Sequence, residues 1–346
     1  MKFWCFIILS VSFYMGTFAQ ESPLIKESRQ TPEPETKLSY MSYQLVKRVN
    51  NVIATSNPDS VFDYYKHKLP KFIWKSGYYL NTKVGKDSIA VRIFFPNKGS
   101  KKHFQDKHLP VLIFYHGGGF VWGSLDMFHM LAQKLSKKLD CIVVLPAYRL
   151  APKYPYPTAV NDCDMVLDWV FQNIATWGGN PQKVGLIGDS AGANLALVTA
   201  IKNNRNQTRP LAFQVLYYPS TTMVDTTFSS RSYFAGDKGS WYVLNKPLLQ
   251  KIKREYLGKT PDTLWQVSPL YAKYKPSMPP TLIITAQCDP LRDEGEALVE
   301  KMKQAGVNVS HIRYNKTIHG FVSMYPLISQ GRKALHDTQN FAKKYF

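Results

Sequence analysis

Residues 184–197 read VGLIGDSAGANLAL, and this stretch indicates both the fold and the chemistry of the chain. A short apolar run leads to Ser190, which stands between Gly188 and Gly192, and small and apolar residues follow. Glycines weaken regular strands and helices, so two of them around a serine favour a special turn over an ordinary core segment. A G-x-S-x-G sequence between a buried strand and a helix is typical of a nucleophile elbow, whose sharp turn exposes the serine hydroxyl. We therefore predict that Ser190 is a nucleophile.

Strands and helices alternate on both sides of this stretch, and several strand-like runs are continuously apolar, as in strands that are covered on both faces. The predicted strands are 76–84, 88–95, 110–116, 141–146, 184–188, 213–218, 281–286 and 308–314, and the predicted helices are 126–139, 160–178, 191–203, 292–305 and 333–345. This alternation predicts an α/β fold with a mostly parallel central sheet and helices on both faces. The first two strands are joined by Gly-Lys-Asp and read as a hairpin that forms an antiparallel edge.

The beginning of the chain differs from the rest. Residues 1–19 combine Lys2, an apolar stretch and a small-residue site at Thr17 and Ala19, which is typical of a secretory signal peptide. We expect cleavage after about Ala19, and hence a secreted or periplasmic protein with no stable membrane insertion. Residues 20–37 are polar and carry prolines, so we predict a flexible lead-in.

Two further regions are predicted to form a helical cap. Residues 38–66 show helical periodicity, so the segment 38–75 is predicted to form N-terminal cap helices, and residues 220–278 interrupt the strand–helix alternation. A long insertion between two sheet strands is usually a lid or a cap, and this one holds a helical patch near 245–257. We expect both regions to cover the carboxyl ends of the strands in an α/β domain that spans 76–346.

Composition excludes several classes of function. The chain has 346 residues, of which 45% are hydrophobic, and its formal net charge is +20. The lysines and arginines are scattered and no nucleic-acid-binding motif surrounds them, so we predict no nucleic-acid partner. No Cys/His cluster has metal-ligand spacing and no cofactor motif is evident, so we predict no metal and no cofactor. Nothing in the sequence sets the oligomeric state.

A serine nucleophile needs a base. The histidines that follow Ser190 are His311 in a strand pattern, His336 in the terminal helix, and His319 in the loop after the last strand. A catalytic imidazole belongs in that loop when the residues follow the hydrolase order of serine, acid and histidine. We therefore predict that His319 is the base.

The acid should follow the strand before that one. The segment TLIITAQCDPLRDEG, residues 281–295, offers Asp289, Asp293 and Glu294. Asp289 comes first after the strand, whereas Asp293 and Glu294 open the next helix, where acids also favour the helix N-terminus. We predict that Asp289 orients His319, with Asp293 as the alternative.

The oxyanion of an acyl-transfer reaction needs backbone N–H donors. HGGGF, residues 116–120, follows a predicted strand, and its glycines let the backbone approach a substrate oxygen. Loops of this type supply half of the oxyanion hole in lipases and esterases, and the residue after the nucleophile, here Ala191, supplies the other half.

Five motifs occur in order along the chain: HGGGF, YRLAP (148–152), GDSAGANLA (188–196), DPLRDEG (289–295) and HGF (319–321). Together they resemble the hormone-sensitive lipase family of α/β-hydrolases, including the arylacetamide deacetylases. The resemblance covers about residues 76–346. It implies the α/β-hydrolase fold with a helical cap, a triad of Ser190, Asp289 and His319, and the oxyanion donors Gly118, Gly119 and Ala191. It also implies that the histidine of HGGGF is structural. The chain departs from the family at Lys153, where glutamate is usual.

The resemblance implies a serine carboxylesterase that acts on a small-molecule ester. Phe120 and Trp122 follow the glycines and are expected to wall the acyl pocket, which favours short- to medium-chain esters. Two alternatives remain: a deacetylase of carbohydrate esters or aryl amides with the same triad, and a non-catalytic relative that binds small ligands.

Overall fold

The computed structural model describes residues 78–97, 107–206, 209–224, 244 and 246–346. The predicted signal peptide, lead-in and N-terminal cap helices lie outside the described residues, and so does much of the predicted insertion between 225 and 245. The division of the chain into these segments therefore stays a prediction.

Eight strands within the described residues form one sheet in the order β1-β2-β4-β3-β5-β6-β7-β8. The strands are β1 (Tyr78–Val84), β2 (Ile89–Phe95), β3 (Leu109–Tyr115), β4 (Ile142–Pro146), β5 (Gly179–Asp189), β6 (Phe213–Tyr217), β7 (Thr281–Cys288) and β8 (Val309–Ile318). The pairs β1/β2 and β2/β4 are antiparallel and all the others are parallel. The predicted α/β fold with an antiparallel edge is confirmed.

Six α-helices accompany these strands in the described part of the chain. They are α1 (His129–Leu139), α2 (Thr158–Asn173), α3 (Ala191–Asn206), α4 (Lys246–Leu257), α5 (Arg292–Gln304) and α6 (Ser329–Ala342). Alternate side chains of β3 show the two layers: Val111 and Ile113 pack in one core with residues of α2 and α3, while Leu112 and Phe114 pack in a second core with residues of α1 and α6. Of the helices described, none is both long and apolar enough to cross a bilayer.

Two strands are longer than predicted at the ends that matter for the site. β7 runs to Cys288 and β8 to Ile318, because pairing resumes between these two residues after an irregularity in the register. The sequence did not predict that β8 extends to Ile318, because the polar residues before Ile318 break the apolar alternation and the strand pairing is irregular there. As a result, Asp289 and His319 are each the first residue after neighbouring parallel strands.

The two ends of the predicted insertion are tied to the helix that follows Ser190. Asn194 of α3 donates two hydrogen bonds from its Nδ2, to the carbonyl oxygen of Ser220 at 2.8 Å and to that of Val267 at 3.0 Å. Glu294 of α5 accepts a hydrogen bond from the N–H of Thr221 at 2.7 Å. These contacts, of which those of Val267 and Thr221 are buried, hold the base of the insertion against α3 and α5.

We expect Asn194→Ala to lower the free energy of unfolding by about 2–4 kcal/mol, because it leaves the buried carbonyl group of Val267 and the partly buried one of Ser220 without their donor. Urea unfolding followed by tryptophan fluorescence measures the change. Asn340→Ala is the matched control: Asn340 is exposed on α6, so the same substitution there should change stability by less than about 0.5 kcal/mol. Equal losses in the two variants would contradict the role assigned to Asn194.

Candidate active site

Ser190 lies in a strained turn that only close packing of glycines permits. Its φ is +55°, in the left-handed region that serine rarely adopts, and its N–H donates to the carbonyl oxygen of Tyr217 at 2.9 Å. A Cβ at Gly188 would lie 2.2 Å from the carbonyl oxygen of Gly192, and one at Gly192 would lie 2.0 Å from that of Tyr115. Both glycines are therefore required so that β5 can turn directly into α3.

The side chains of Ser190, His319 and Asp289 form one hydrogen-bonded chain. The Nε2 atom of His319 is 2.9 Å from Oγ of Ser190, and its Nδ1 atom is 2.7 Å from Oδ2 of Asp289. An ionised carboxylate can only accept, so Nδ1–H donates to Asp289 and the lone pair of Nε2 faces the serine hydroxyl. The arrangement can remove the proton of that hydroxyl.

Asp289 is itself held in place. It is fully buried, and its Oδ1 atom accepts a hydrogen bond from the N–H of Leu291 at 2.8 Å. His319 is only 5% exposed. The carboxylate therefore has two donors, the N–H of Leu291 and Nδ1–H of His319. Little entropy is lost when the imidazole becomes charged, because both groups are already ordered.

The other candidates from the sequence lie elsewhere. Asp293 pairs with Arg292 at 2.8 Å, and Glu294 accepts N–H groups from the base of the insertion. His311 contacts a threonine hydroxyl of β7 and lies within 4.0 Å of a glutamate, and His336 is exposed on α6. Of the four, none is hydrogen-bonded to His319 or Ser190 within the described residues.

Residues 116–122, which we call the glycine loop, cross above the N-terminus of α3. Gly118 and Gly119 have φ values of +118° and +61°. A Cβ at Gly118 would lie 2.1 Å from the carbonyl oxygen of Trp122, so this position also requires glycine. The N–H groups of Gly118, Gly119 and Ala191 donate to no other described residue. They are therefore available to a substrate oxygen.

Asp189 is a buried acid to which the G-x-S-x-G motif assigns no role. Its Oδ1 atom accepts a hydrogen bond from the N–H of Gly117 at 2.7 Å, so the residue before Ser190 fixes the first glycine of the loop. Burial raises the pKa of Asp189 to about 7, and the hydrogen bond from Gly117 and the nearby His319 oppose that rise. The signal in the sequence was a lone acid among small and apolar residues at the end of a buried strand.

His116, the first residue of the glycine loop, is fixed by contacts of its ring. Its ring stacks between Phe128 and Tyr148, with centroids 5.1 Å and 4.3 Å away, and burial lowers its pKa to about 4. The neutral ring donates from Nδ1 to the carbonyl oxygen of Gly117 at 2.8 Å. Its contacts are structural, as the resemblance implies.

Phe120 and Trp122 occupy different environments. Phe120 is 1% exposed and its ring stacks on Tyr256 of α4, while Trp122 is half-buried at the end of the loop. The described residues contain no group of three or more histidine, cysteine, aspartate or glutamate side chains that could hold a metal ion.

Comparison with known proteins identifies the family that the chain matches. Residues 112–323 match a family model described as the alpha/beta hydrolase fold. The chain is 35% identical to carboxylesterase NlhH of Mycobacterium tuberculosis over 72% of its own length and 76% of that protein. It is 28% identical to an arylesterase of Saccharolobus solfataricus, over 79% of its own length and 91% of that protein.

A solved structure extends the likeness to three dimensions. An esterase of Pyrobaculum calidifontis superposes with a TM-score of 0.77 at 32% identity, covering 89% of this chain and 98% of that one. With the motifs, the sheet order and the hydrogen-bonded side chains already described, these matches mean that the chain belongs to the hormone-sensitive lipase-like family of α/β-hydrolases and is a carboxylic ester hydrolase.

Proposed function

We propose that the protein is a serine carboxylesterase that cleaves short- to medium-chain esters through an acyl-enzyme intermediate. The observation that carries the proposal is the hydrogen-bonded chain from Ser190 Oγ through His319 to Asp289, with distances of 2.9 Å and 2.7 Å. The strained turn supports it, because it holds the Ser190 hydroxyl at the N-terminus of α3.

Acylation follows from the positions of these groups. Ser190 Oγ attacks the ester carbonyl carbon while its proton passes to Nε2 of His319. Asp289 stabilises the imidazolium that forms and keeps Nδ1 protonated. The negative charge on the tetrahedral oxygen develops next to the N–H groups of Gly118, Gly119 and Ala191, which are oriented before the reaction begins.

The second half of the reaction reuses the same groups. The imidazolium of His319 gives its proton to the departing alkoxide oxygen, and the carbon–oxygen bond to the leaving alcohol breaks. A water molecule then loses a proton to Nε2 and attacks the acyl-enzyme carbonyl. Collapse of the second tetrahedral species returns the proton to Ser190 and releases the carboxylic acid.

Asp189 supports the oxyanion donors without touching the substrate. Its carboxylate binds the N–H of Gly117, so the peptide next to Gly118 cannot rotate freely. Preorganisation of this kind matters because donors that must reorient during the reaction lose much of their effect.

The acyl side of the site supports a modest chain length. Phe120 comes directly after the proposed donor Gly119, and Trp122 follows Val121. The ring of Phe120 is packed against Tyr256, so it cannot move aside to open a long channel. One relative, 32% identical over 65% of this chain, is named ethyl acetate hydrolase, and the acyl group in that name is short.

The first residues support export of the enzyme. Residues 1–19 carry the charge, apolar stretch and small residues of a signal peptide, which supports cleavage after about Ala19 and a secreted or periplasmic location. N-terminal sequencing of the protein from the culture fluid or periplasm should begin at Gln20. A chain that retains Met1 in the cytoplasm would refute this location.

We expect Ser190→Ala and His319→Gln each to lower kcat at least ~10³-fold, and Asp289→Asn about 10²–10⁴-fold, because the nucleophile and its base act as a unit. Hydrolysis of p-nitrophenyl butyrate measures kcat, and circular dichroism checks folding. The matched controls are His336→Gln and Asp293→Asn, which make the same chemical change away from Ser190 and should keep most of the activity. Substantial activity in Ser190→Ala, or a larger loss in Asp293→Asn than in Asp289→Asn, would refute the assignment.

We expect kcat/KM for p-nitrophenyl esters to be highest between acetate and octanoate and to fall at least about tenfold for palmitate, because a closed acyl wall penalises each extra methylene. The same panel should include p-nitroacetanilide, which is the amide analogue of p-nitrophenyl acetate, and an acetylated sugar. An optimum at palmitate would contradict the proposed chain length, and a preference for the amide or the sugar ester would favour a deacetylase.

A further inference from the structure

Helix α4 presses on the glycine loop at two neighbouring points. Ile252 and Tyr256 are four residues apart, so they lie on the same face of the helix. The Cδ1 atom of Ile252 is 2.5 Å from the place where a Cβ at Gly119 would stand. The ring of Tyr256 stacks on Phe120 with centroids 3.9 Å apart and an angle of 6° between the planes.

The backbone at Phe120 needs such a contact. Gly119 and Phe120 adopt left-handed φ values in succession, +61° and +64°. Glycine does this freely, but a residue with a Cβ is strained there, because the Cβ comes too close to the following carbonyl oxygen. A strained residue of this kind persists only where its surroundings hold it.

Two contacts provide that support. The carbonyl oxygen of Phe120 accepts a hydrogen bond from the N–H of Ala151 at 2.9 Å, and the ring of Phe120 is covered by Tyr256. A stacked aromatic pair stabilises its arrangement beyond the burial of its surface. The stack therefore helps to offset the backbone strain at Phe120, and its loss lets the loop relax.

Relaxation at Phe120 would move the peptide of Gly119, the residue before it. The N–H of Gly119 is a proposed oxyanion donor, and a misplacement of about 1 Å in catalytic geometry can cost ~100-fold in rate. We propose that Tyr256 and Ile252 are positioning residues for the oxyanion hole, so that the glycine loop keeps its catalytic shape only while α4 rests on it. The inference deepens the proposed function and rests on it.

The ring of Tyr256, rather than its hydroxyl, carries this role. Among the described residues Tyr256 is fully buried, and its Oη atom has no hydrogen-bond partner. The backbone carbonyl of Tyr256 accepts a hydrogen bond from the N–H of Tyr156 at 2.9 Å, which anchors the helix independently of the side chain.

The test compares Tyr256→Leu with Tyr256→Phe, using p-nitrophenyl butyrate as substrate and a trifluoromethyl ketone as inhibitor. The ketone forms a tetrahedral oxyanion on the nucleophile, so its KI reports on the oxyanion hole. In Tyr256→Leu we expect kcat to fall about 10–100-fold with KM changed less than ~3-fold, and KI for the ketone to rise in parallel with the loss of kcat. Tyr256→Phe keeps the stacked ring, so its kcat and its KI for the ketone should stay close to those of the unaltered enzyme.

Ile252→Val is a milder second variant, because it removes only the Cδ1 atom that lies against Gly119. We expect about a 3–10-fold loss of kcat with the same parallel rise in KI. Leu257→Ala is the control for general loosening of α4, because Leu257 is buried on the same helix but lies ~100° round from Tyr256. It should lower Tm and leave KI for the ketone within about threefold of the unaltered enzyme.

The inference fails if Tyr256→Leu and Ile252→Val lower Tm without changing KI, or raise KM with kcat intact. It also fails if Tyr256→Phe loses as much activity as Tyr256→Leu, since the hydroxyl would then matter. The wild-type enzyme and Ser190→Ala are measured beside these variants to separate this inference from the proposed function. An inactive wild type or an active Ser190→Ala contradicts the proposed function. Normal kinetics in the Tyr256 and Ile252 variants contradict only this inference.

Discussion

The contact between Gly192 and the end of β3 constrains the whole site. Any side chain at Gly192 would collide with the carbonyl oxygen of Tyr115, so α3 can approach the sheet this closely only at a glycine. The approach places the N-terminus of α3 beside the glycine loop, which begins immediately after β3. The strained φ of Ser190 follows from the same geometry, because the chain must reverse within one residue between strand and helix.

The register between β7 and β8 brings Asp289 and His319 side by side. The pairing of Cys288 with Ile318 brings β7 and β8 to an end side by side, and the next residues are Asp289 and His319. Burial then makes their hydrogen bond effective, since a carboxylate removed from water interacts more strongly with the imidazolium that forms during the reaction. Asp293 and Glu294, only a few residues away, are engaged with Arg292 and with the base of the insertion.

The glycine loop is held from three directions. Asp189 at the end of β5 binds the N–H of Gly117, and the ring of His116 fixes the start of the loop between two aromatic rings. Tyr256 and Ile252 contact the loop from α4. A loop rich in glycine has many accessible conformations, so these contacts must supply the order that its sequence does not. Residues far apart in the chain thereby act on the few N–H groups proposed to stabilise the oxyanion.

The sequence by itself determined the fold class and the order of its parts, because hydrophobic periodicity and glycine spacing are local properties. It also singled out Ser190, Asp289 and His319 as candidates, since each follows a recognisable strand. It did not show the contacts of Asp189 and Tyr256 with the glycine loop, nor where β7 and β8 end. Those features depend on strand register, burial and contacts between distant segments. Only the tertiary structure decided them, because a carboxylate or an aromatic ring acquires its role from what packs against it.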